Sequence, residues 1–363
     1  MDIKKEFVPI QVRGWVNDII DSNTNWRFWY PWLEKLKNTQ TFVHLSAAWS
    51  KDKSWPVHPD PGYDQYVLSG DSGLPGWGEY VADLYQRPVF VIALPEVYQE
   101  SWHELVQYIP NTYYHKQIAV LKHEITIPAS KKIIYKASAL TSRASQSKII
   151  IFSALKKFLA ENSLLTLQNQ IELENVHHWA PTHNKQLDDL TLYFRQHWLG
   201  KELQLPDDSG NMLSTNHGAY TQSALNFTQE SFHYSQMYNA EKEHTEILSG
   251  PFITEKTFKC LWSQTAFIPV GQFRTYEWFK LAGLKFEYGI NLSFDQDSGN
   301  ITRLIKLVEL IQDLSKYSAQ DLFEMSRLSS QHNYTMLSSG EFFNFCEMSN
   351  ASNLSLLYEK ILG

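Results

Sequence analysis

Compact apolar runs, each set off from the next by a helical or turn-rich stretch, constrain this chain more than any other feature of its sequence. In the first third they are Thr41-Phe42-Val43-His44-Leu45, Tyr66-Val67-Leu68 and Pro88-Val89-Phe90-Val91-Ile92-Ala93-Leu94. The pattern restarts with Lys131-Lys132-Ile133-Ile134-Tyr135-Lys136-Ala137-Ser138. A polar turn from Thr141 to Lys148 and a run from Ile149 to Ala160 follow, the latter with Ile151, Leu155, Phe158 and Leu159 at helical spacing. Ala224-Leu225-Asn226-Phe227-Thr228 reads as a further strand, running on to Gln229-Glu230-Ser231. Ala266-Phe267-Ile268-Pro269-Val270-Gly271 reads as a buried one, apolar without alternation and closed by glycine. Strands that alternate with helices predict an α/β protein.

At 363 residues the chain exceeds one ordinary core and suits two domains. The boundaries drawn from the pattern are an α/β domain over 1–128, a second over 129–340, and a C-terminal helix over 341–363, for which packing back on the first domain is one arrangement. The polar stretch His233 to Ser249 reads as an exposed loop or short helix, and Thr275 to Ala282 as a helix stopped by Gly283. Phe286 to Phe294 reads as a strand and loop, and Asp189 to Leu199 as a helix. Ile301 to Leu314 is the most periodic helix, with Leu304, Ile305, Val308 and Ile311 on its buried face.

Net charge is -7, so the phosphate backbone of nucleic acid is disfavoured as the main partner, although DNA remains open through a local basic groove. Two cysteines, Cys260 and Cys346, make no disulfide framework and fit a reducing compartment. No apolar run approaches a membrane span, and the N-terminus carries no apolar core of signal-peptide length. A soluble, cytoplasmic protein is expected. Histidines His177, His178 and His183 lack the convergent acidic partners that a metal site needs, so no metal is assigned.

The stretch Gly250-Pro251-Phe252-Ile253-Thr254-Glu255-Lys256-Thr257-Phe258-Lys259 holds the chemistry. Gly250 and Pro251 interrupt the preceding segment, Thr254 is a good N-cap, and Phe258, Leu261 and Trp262 form one helical face. A Glu-Lys pair thus stands at a helix N-terminus, where unpaired N–H groups and the helix dipole favour anions.

Three segments in order resemble the donor-binding half of the α-1,3-fucosyltransferases, and more closely the fucosyltransferase-like glycosyltransferases of bacteriophage and giant-virus genomes. They are Tyr135-Lys136-Ala137-Ser138 through Arg143 and Lys148, Ala219 through Ser231, and Phe252-Ile253-Thr254-Glu255-Lys256, which is similar to the family's Val-Thr-Glu-Lys signature. The resemblance spans residues 130 to 320. It implies a GT-B fold, two Rossmann-like domains facing a central cleft, with the nucleotide-sugar on the C-terminal one and the acceptor side on the N-terminal one. It further implies that Glu255 binds the ribose hydroxyls and Lys256 the donor phosphates. Lys148 stands for the family's phosphate-binding arginine without its bidentate fork, and Arg143 offers a second cation. Phe252 is placed to pack on the donor. Glu230 stands where the family has asparagine, and its residue type also suits an N-cap or a surface acid.

The expected reaction moves a sugar from a nucleotide-sugar, a co-substrate rather than a cofactor, to a hydroxyl of a glycan or glycoconjugate. Inversion without a metal is the implied course. The base is sought among Asp60, Asp64, Asp71, Glu79 and Glu96, of which Asp71 and Glu96 each just follow an expected strand. Trp55 and Trp77, in Gly- and Pro-rich loops, are candidates for stacking on the acceptor. Transfer to a modified DNA base and a non-catalytic binding protein on the same fold are the alternatives.

Overall fold

The computed structural model describes residues 12–22, 31–46, 62–70, 77–93, 103–110, 131–141, 145–167, 182–203, 218–230, 236–239, 244–247, 251 and 253–362. The protein is α/β and divides into two compact units. One comprises Met1–Gln117, Ile247–Gly250 and Asn344–Gly363, the other Ile118–Glu246 and Pro251–Phe343. Among the described residues no helix is long and apolar enough to cross a membrane.

The first unit is built on a sheet of β1 (Val12–Trp15), β2 (Thr41–Ser46), β3 (Gln65–Gly70), β4 (Val89–Ala93) and β5 (Val106–Pro110), in that spatial order. β1 runs antiparallel to β2, and the other pairs are parallel. Successive side chains point to opposite faces, and both faces are apolar, as a covered parallel sheet requires. Val43, Val67, Phe90, Ile92 and Ile109 pack with Val16 of α1 (Val16–Ser22), with Leu33 and Leu36 of a 3-10 turn, and with Leu354 and Leu357 of the C-terminal helix Glu341–Leu362. Phe42, Tyr66, Leu68, Val89, Val91 and Val106 pack with Val81 and Ala82 of α2 (Trp77–Tyr85). That helix lies so close to β4 that a Cβ on Gly78 would stand 2.6 Å from a Val91 methyl, so no larger residue fits there without movement.

The second unit holds a parallel sheet in the order β11-β8-β6-β7, made of β6 (Tyr135–Thr141), β7 (Ser163–Leu167), β8 (Ser223–Gln229) and β11 (Ala266–Val270). A separate two-stranded sheet pairs β9 (Gln236–Asn239) with β10 (His244–Ile247). From β6 the chain passes through α3 (Gln146–Phe158) to β7 on one side. It later returns to the other side of β6, where α6 (Glu255–Trp262) connects β8 to β11. Right-handed crossovers in opposite directions put α3 and α6 on opposite faces. The strand order reverses between β6 and β8, the place where open parallel sheets form a crevice at their carboxyl ends.

The remaining helices of this unit are α4 (Lys185–His197), α5 (Gly218–Thr221), α7 (Thr275–Leu281), α8 (Asn300–Leu314) and α9 (Ala319–Ser338). α3 packs with α4 and α8, and α9 crosses β6, β8 and β11 beside α6. α9 begins on a capping box, Ser318 and Asp321 each bonding the other's backbone N–H. Phe258, Phe267, Tyr276, Phe279, Phe286 and Phe342 interlock edge-to-face or tilted as the aromatic heart of the unit.

Three expectations are corrected. Phe286 to Phe294 is not a strand, because its backbone partners are side chains of α9 instead of a sheet neighbour. Asn333 accepts from Lys285 N–H at 2.7 Å and donates to the Lys285 carbonyl at 2.7 Å, while Ser329 accepts from Glu287 N–H at 3.1 Å. The polar stretch after His233 contains β9 and β10 rather than a short helix. α3 starts at Gln146, three residues before its apolar run, so Lys148 belongs to the helix and not to a turn.

Candidate functional site

The carboxyl edge of the second sheet collects the polar residues that the sequence singled out. Thr254 is the N-cap of α6 by position, yet its hydroxyl makes no capping bond within the helix. The carboxylate of Glu230, one residue beyond β8, does that work from outside. It accepts from Thr254 N–H at 3.1 Å, from the Thr254 hydroxyl at 2.5 Å and from the Thr257 hydroxyl at 2.6 Å. Glu230 is buried at 1% exposure, so it is not a surface acid. Burial pushes its carboxyl above the ordinary range, against the pull of the Lys256 ammonium and the two threonine hydroxyls.

Glu255 and Lys256, on the first turn of α6, pair at 3.3 Å with side chains 15% and 21% exposed. Lys256 also donates to the Thr254 hydroxyl at 3.1 Å. Burial raises the Glu255 carboxyl, but the charges of Lys256 and Lys259, with hydrogen bonds from its own backbone N–H and from Lys256, outweigh it and hold the group below the usual carboxylate range. Glu255 is therefore an ionised, partly open acceptor. Such a carboxylate can accept from a pair of hydroxyls. Cys260, further along the helix, is a buried thiol pushed well above its ordinary pKa by burial, which makes it inert as a nucleophile.

The N-terminus of α3, at the end of β6, differs from that of α6. Ser145 is its N-cap in extended conformation and makes no side-chain cap, and no acidic residue stands in the first turn. Ser145 and Ser147 hydroxyls lie 3.2 Å apart, and Lys148 is buried on the same turn. This end keeps the positive pole of its dipole without a carboxylate from its own turn.

Between the two helix starts lies a pair the sequence did not mark out. The parallel register Ser138↔Asn226, carried three residues on, sets Thr141 beside Gln229. The Thr141 hydroxyl donates to Gln229 Oε1 at 2.8 Å in a buried bond. Gln229 Nε2 is buried and, among the described residues, has no hydrogen-bond partner. An unmet donor of this kind costs about 1–3 kcal/mol. Reversing the amide would only move the deficit to its oxygen. The sequence signal was an amide side chain at the end of a buried strand.

A second buried carboxylate the sequence left aside, Asp295, serves α7 as Glu230 serves α6. It accepts from Tyr276 N–H at 3.1 Å, and burial, opposed by the backbone N–H groups of Tyr276, Glu277 and Thr275, pushes its carboxyl up to about 6.

Of the remaining candidates, Arg143, Phe252, Trp55, Asp60, Asp71 and Glu96 lie outside the described residues. Trp77 is the first residue of α2, while Asp64 is exposed and Glu79 is buried on the first turn of α2. The structure thus brings Lys148, Glu230, Thr254, Glu255 and Lys256 to one edge of one sheet. No protein-family model, no curated protein and no solved structure matches the chain.

Proposed function

We propose that the chain is a glycosyltransferase of GT-B type, with the second unit holding the nucleotide-sugar donor and the first serving the acceptor. The observation that carries the reading is the Glu255–Lys256 pair on the first turn of α6, at the carboxyl edge where the strand order of a parallel sheet reverses. Glu255, ionised and partly open, is suited to two ribose hydroxyls, because a carboxylate accepts from both. Transfer of the glycosyl group builds negative charge on the departing diphosphate. Lys256 and Lys148, each on the first turn of a helix, are the cations this reading assigns to meet it there, which stabilises the transition state more than the ground state. An acceptor hydroxyl, a glycan or glycoconjugate in this reading, then needs a base, for which Asp71 and Glu96 are the assigned candidates.

The test is a thermal-shift and turnover screen over nucleotide-sugars and their nucleoside diphosphates. One nucleoside diphosphate should raise the melting temperature of the wild type and fail to do so in Glu255→Ala and Lys256→Ala. The matching nucleotide-sugar should release that diphosphate only when an acceptor is added. Absence of any nucleotide-dependent shift in the wild type would sink the donor assignment, and binding without release would leave a nucleotide-sugar-binding protein.

A further inference from the structure

Where α3 ends, three helices of the second unit enclose a cleft of about 410 Å³. α3 contributes Lys157 and Phe158 to its lining, α4 contributes Lys185, Gln186, Asp189 and Leu190, and α8 contributes Gln312. α3 has 13 residues, which at about 1.5 Å each set the cleft about 20 Å from the start of that helix at the carboxyl edge of the sheet. On α4 the four lining residues form two rows by helical spacing, Lys185 with Asp189 and Gln186 with Leu190. Leu190 is buried, Phe158, Gln186 and Gln312 are half-buried, and the three charged residues are exposed. Among the described residues Asp189 pairs with neither lysine.

We propose that this cleft is a saccharide-binding site, which holds one or two sugar rings by their hydroxyls against an apolar base. Its volume is that of a small-molecule site. Gln186 and Gln312 each offer donors and an acceptor, the Asp189 carboxylate adds two acceptor oxygens, and the two ammonium groups add donors. Neighbouring hydroxyls of a sugar, each donor and acceptor at once, match such a set. Phe158 and Leu190 supply the apolar surface that the C–H face of a sugar ring takes out of water. Other ligand classes fit this lining less well. A phosphate would meet the Asp189 carboxylate and the carbonyl pole of α3. The helix start at the cleft is also filled already, since Asn184 Oδ1 accepts from Leu187 N–H at 3.1 Å and Asp188 stands in the first turn of α4. A metal ion would find one carboxylate beside two ammonium groups, and among the described residues no group of three His, Cys, Asp or Glu is placed to hold one. A purely apolar ligand would cover two amides without giving them partners. The inference goes beyond the donor reading and does not rest on it, because the cleft lies at the other end of α3 and shares no residue with that site.

Saturation-transfer NMR of the full chain with glucose, galactose, mannose, N-acetylglucosamine, lactose and cellobiose tests it. At least one of these sugars should receive saturation, strongest on the ring C–H protons that stack on Phe158. Titration of that sugar should then give an affinity about tenfold weaker in Asp189→Ala and in Gln312→Ala, the loss of one hydrogen bond in each. The two changes fall on different helices at exposed and half-buried positions, so each variant should keep a melting temperature close to that of the wild type. The double variant Lys157→Ala/Lys185→Ala should lose less affinity than either, because exposed ammonium groups are well screened. Pyrophosphate should not displace the sugar, and Glu255→Ala should bind it as the wild type does. Saturation of none of these sugars, or wild-type affinity in both Asp189→Ala and Gln312→Ala, overturns the proposal. Displacement by pyrophosphate would make the cleft an anion site and overturns it too. Sugar binding lost in Glu255→Ala but kept in Asp189→Ala would put the sugar at the carboxyl edge, so that the cleft fails and the donor reading gains. Sugar binding lost in Asp189→Ala with no nucleotide effect anywhere would leave the cleft standing while the donor reading fails.

Discussion

α3 and α6 start at neighbouring strand ends of one sheet, yet their N-termini are finished in opposite ways. α6 is supplied with a carboxylate by its own protein: Glu230 reaches from the end of β8 to Thr254 and Thr257. α3 has no acid in its first turn and no side-chain cap from Ser145. The unpaired N–H groups and dipole are the same at every helix start, so the difference lies in what occupies them. Among the described residues the start of α6 is filled by a carboxylate from the neighbouring strand, and the start of α3 receives none from its own first turn. The resemblance to fucosyltransferases assigns phosphate binding to Lys256 at the filled end. In the structure Lys256 is engaged by Glu255 and Thr254, and Lys148 is buried on the first turn of α3.

The contrast can be broken most severely at Glu230. Glu230→Ala removes a carboxylate that accepts three hydrogen bonds and strands a buried backbone N–H, so urea unfolding should show a loss of about 3 kcal/mol. Ser145→Ala at the other helix should stay within about 0.5 kcal/mol, and equal losses at both sites would erase the distinction.

Asp295 extends the comparison to α7 through pH. Its carboxyl, ordinarily near 3.8, is held at about 6 in the fold, so the native state binds the proton more tightly than the unfolded chain does. The resulting stabilisation is complete below about 4 and is lost as pH rises through about 6, a displacement corresponding to about 3 kcal/mol between protonation states. Asp295→Asn, which keeps an acceptor for Tyr276 N–H, should therefore gain on the wild type in melting temperature between pH 4 and 7. A pH-independent difference would show that burial does not govern this group.

The smallest effect sharpens the comparison from the open end. Ser145→Asp gives α3 the acid it lacks and should stabilise the ligand-free protein by about 0.5–1 kcal/mol. The same change should weaken binding of pyrophosphate and nucleoside diphosphates, because the carboxylate takes the anion's place. Stability gained with binding intact would argue that anions bind elsewhere.

Much of this was legible in the chain. The apolar runs located β2, β3, β4, β8 and β11 to within a few residues, because strands buried on both faces are largely apolar. The start of α6 was readable from Gly250, Pro251 and Thr254, and the core face of α8 from its period. Phe286 to Phe294 misled because apolar content fixes burial and not backbone partners, and here Asn333 and Ser329, more than forty residues later, supply them.

The alternation of runs and helices by itself determined that the protein is α/β, and the Thr-Glu-Lys stretch determined that a helix begins with a charged pair. Local pattern suffices for both, since burial and helix initiation depend on neighbours within a turn or two. Only the tertiary structure decided that Glu230 caps α6 and that Thr141 holds Gln229 by one end of its amide. Those contacts join residues 24 to 88 positions apart. No local pattern encodes them, because register and strand order choose which side chains share an edge.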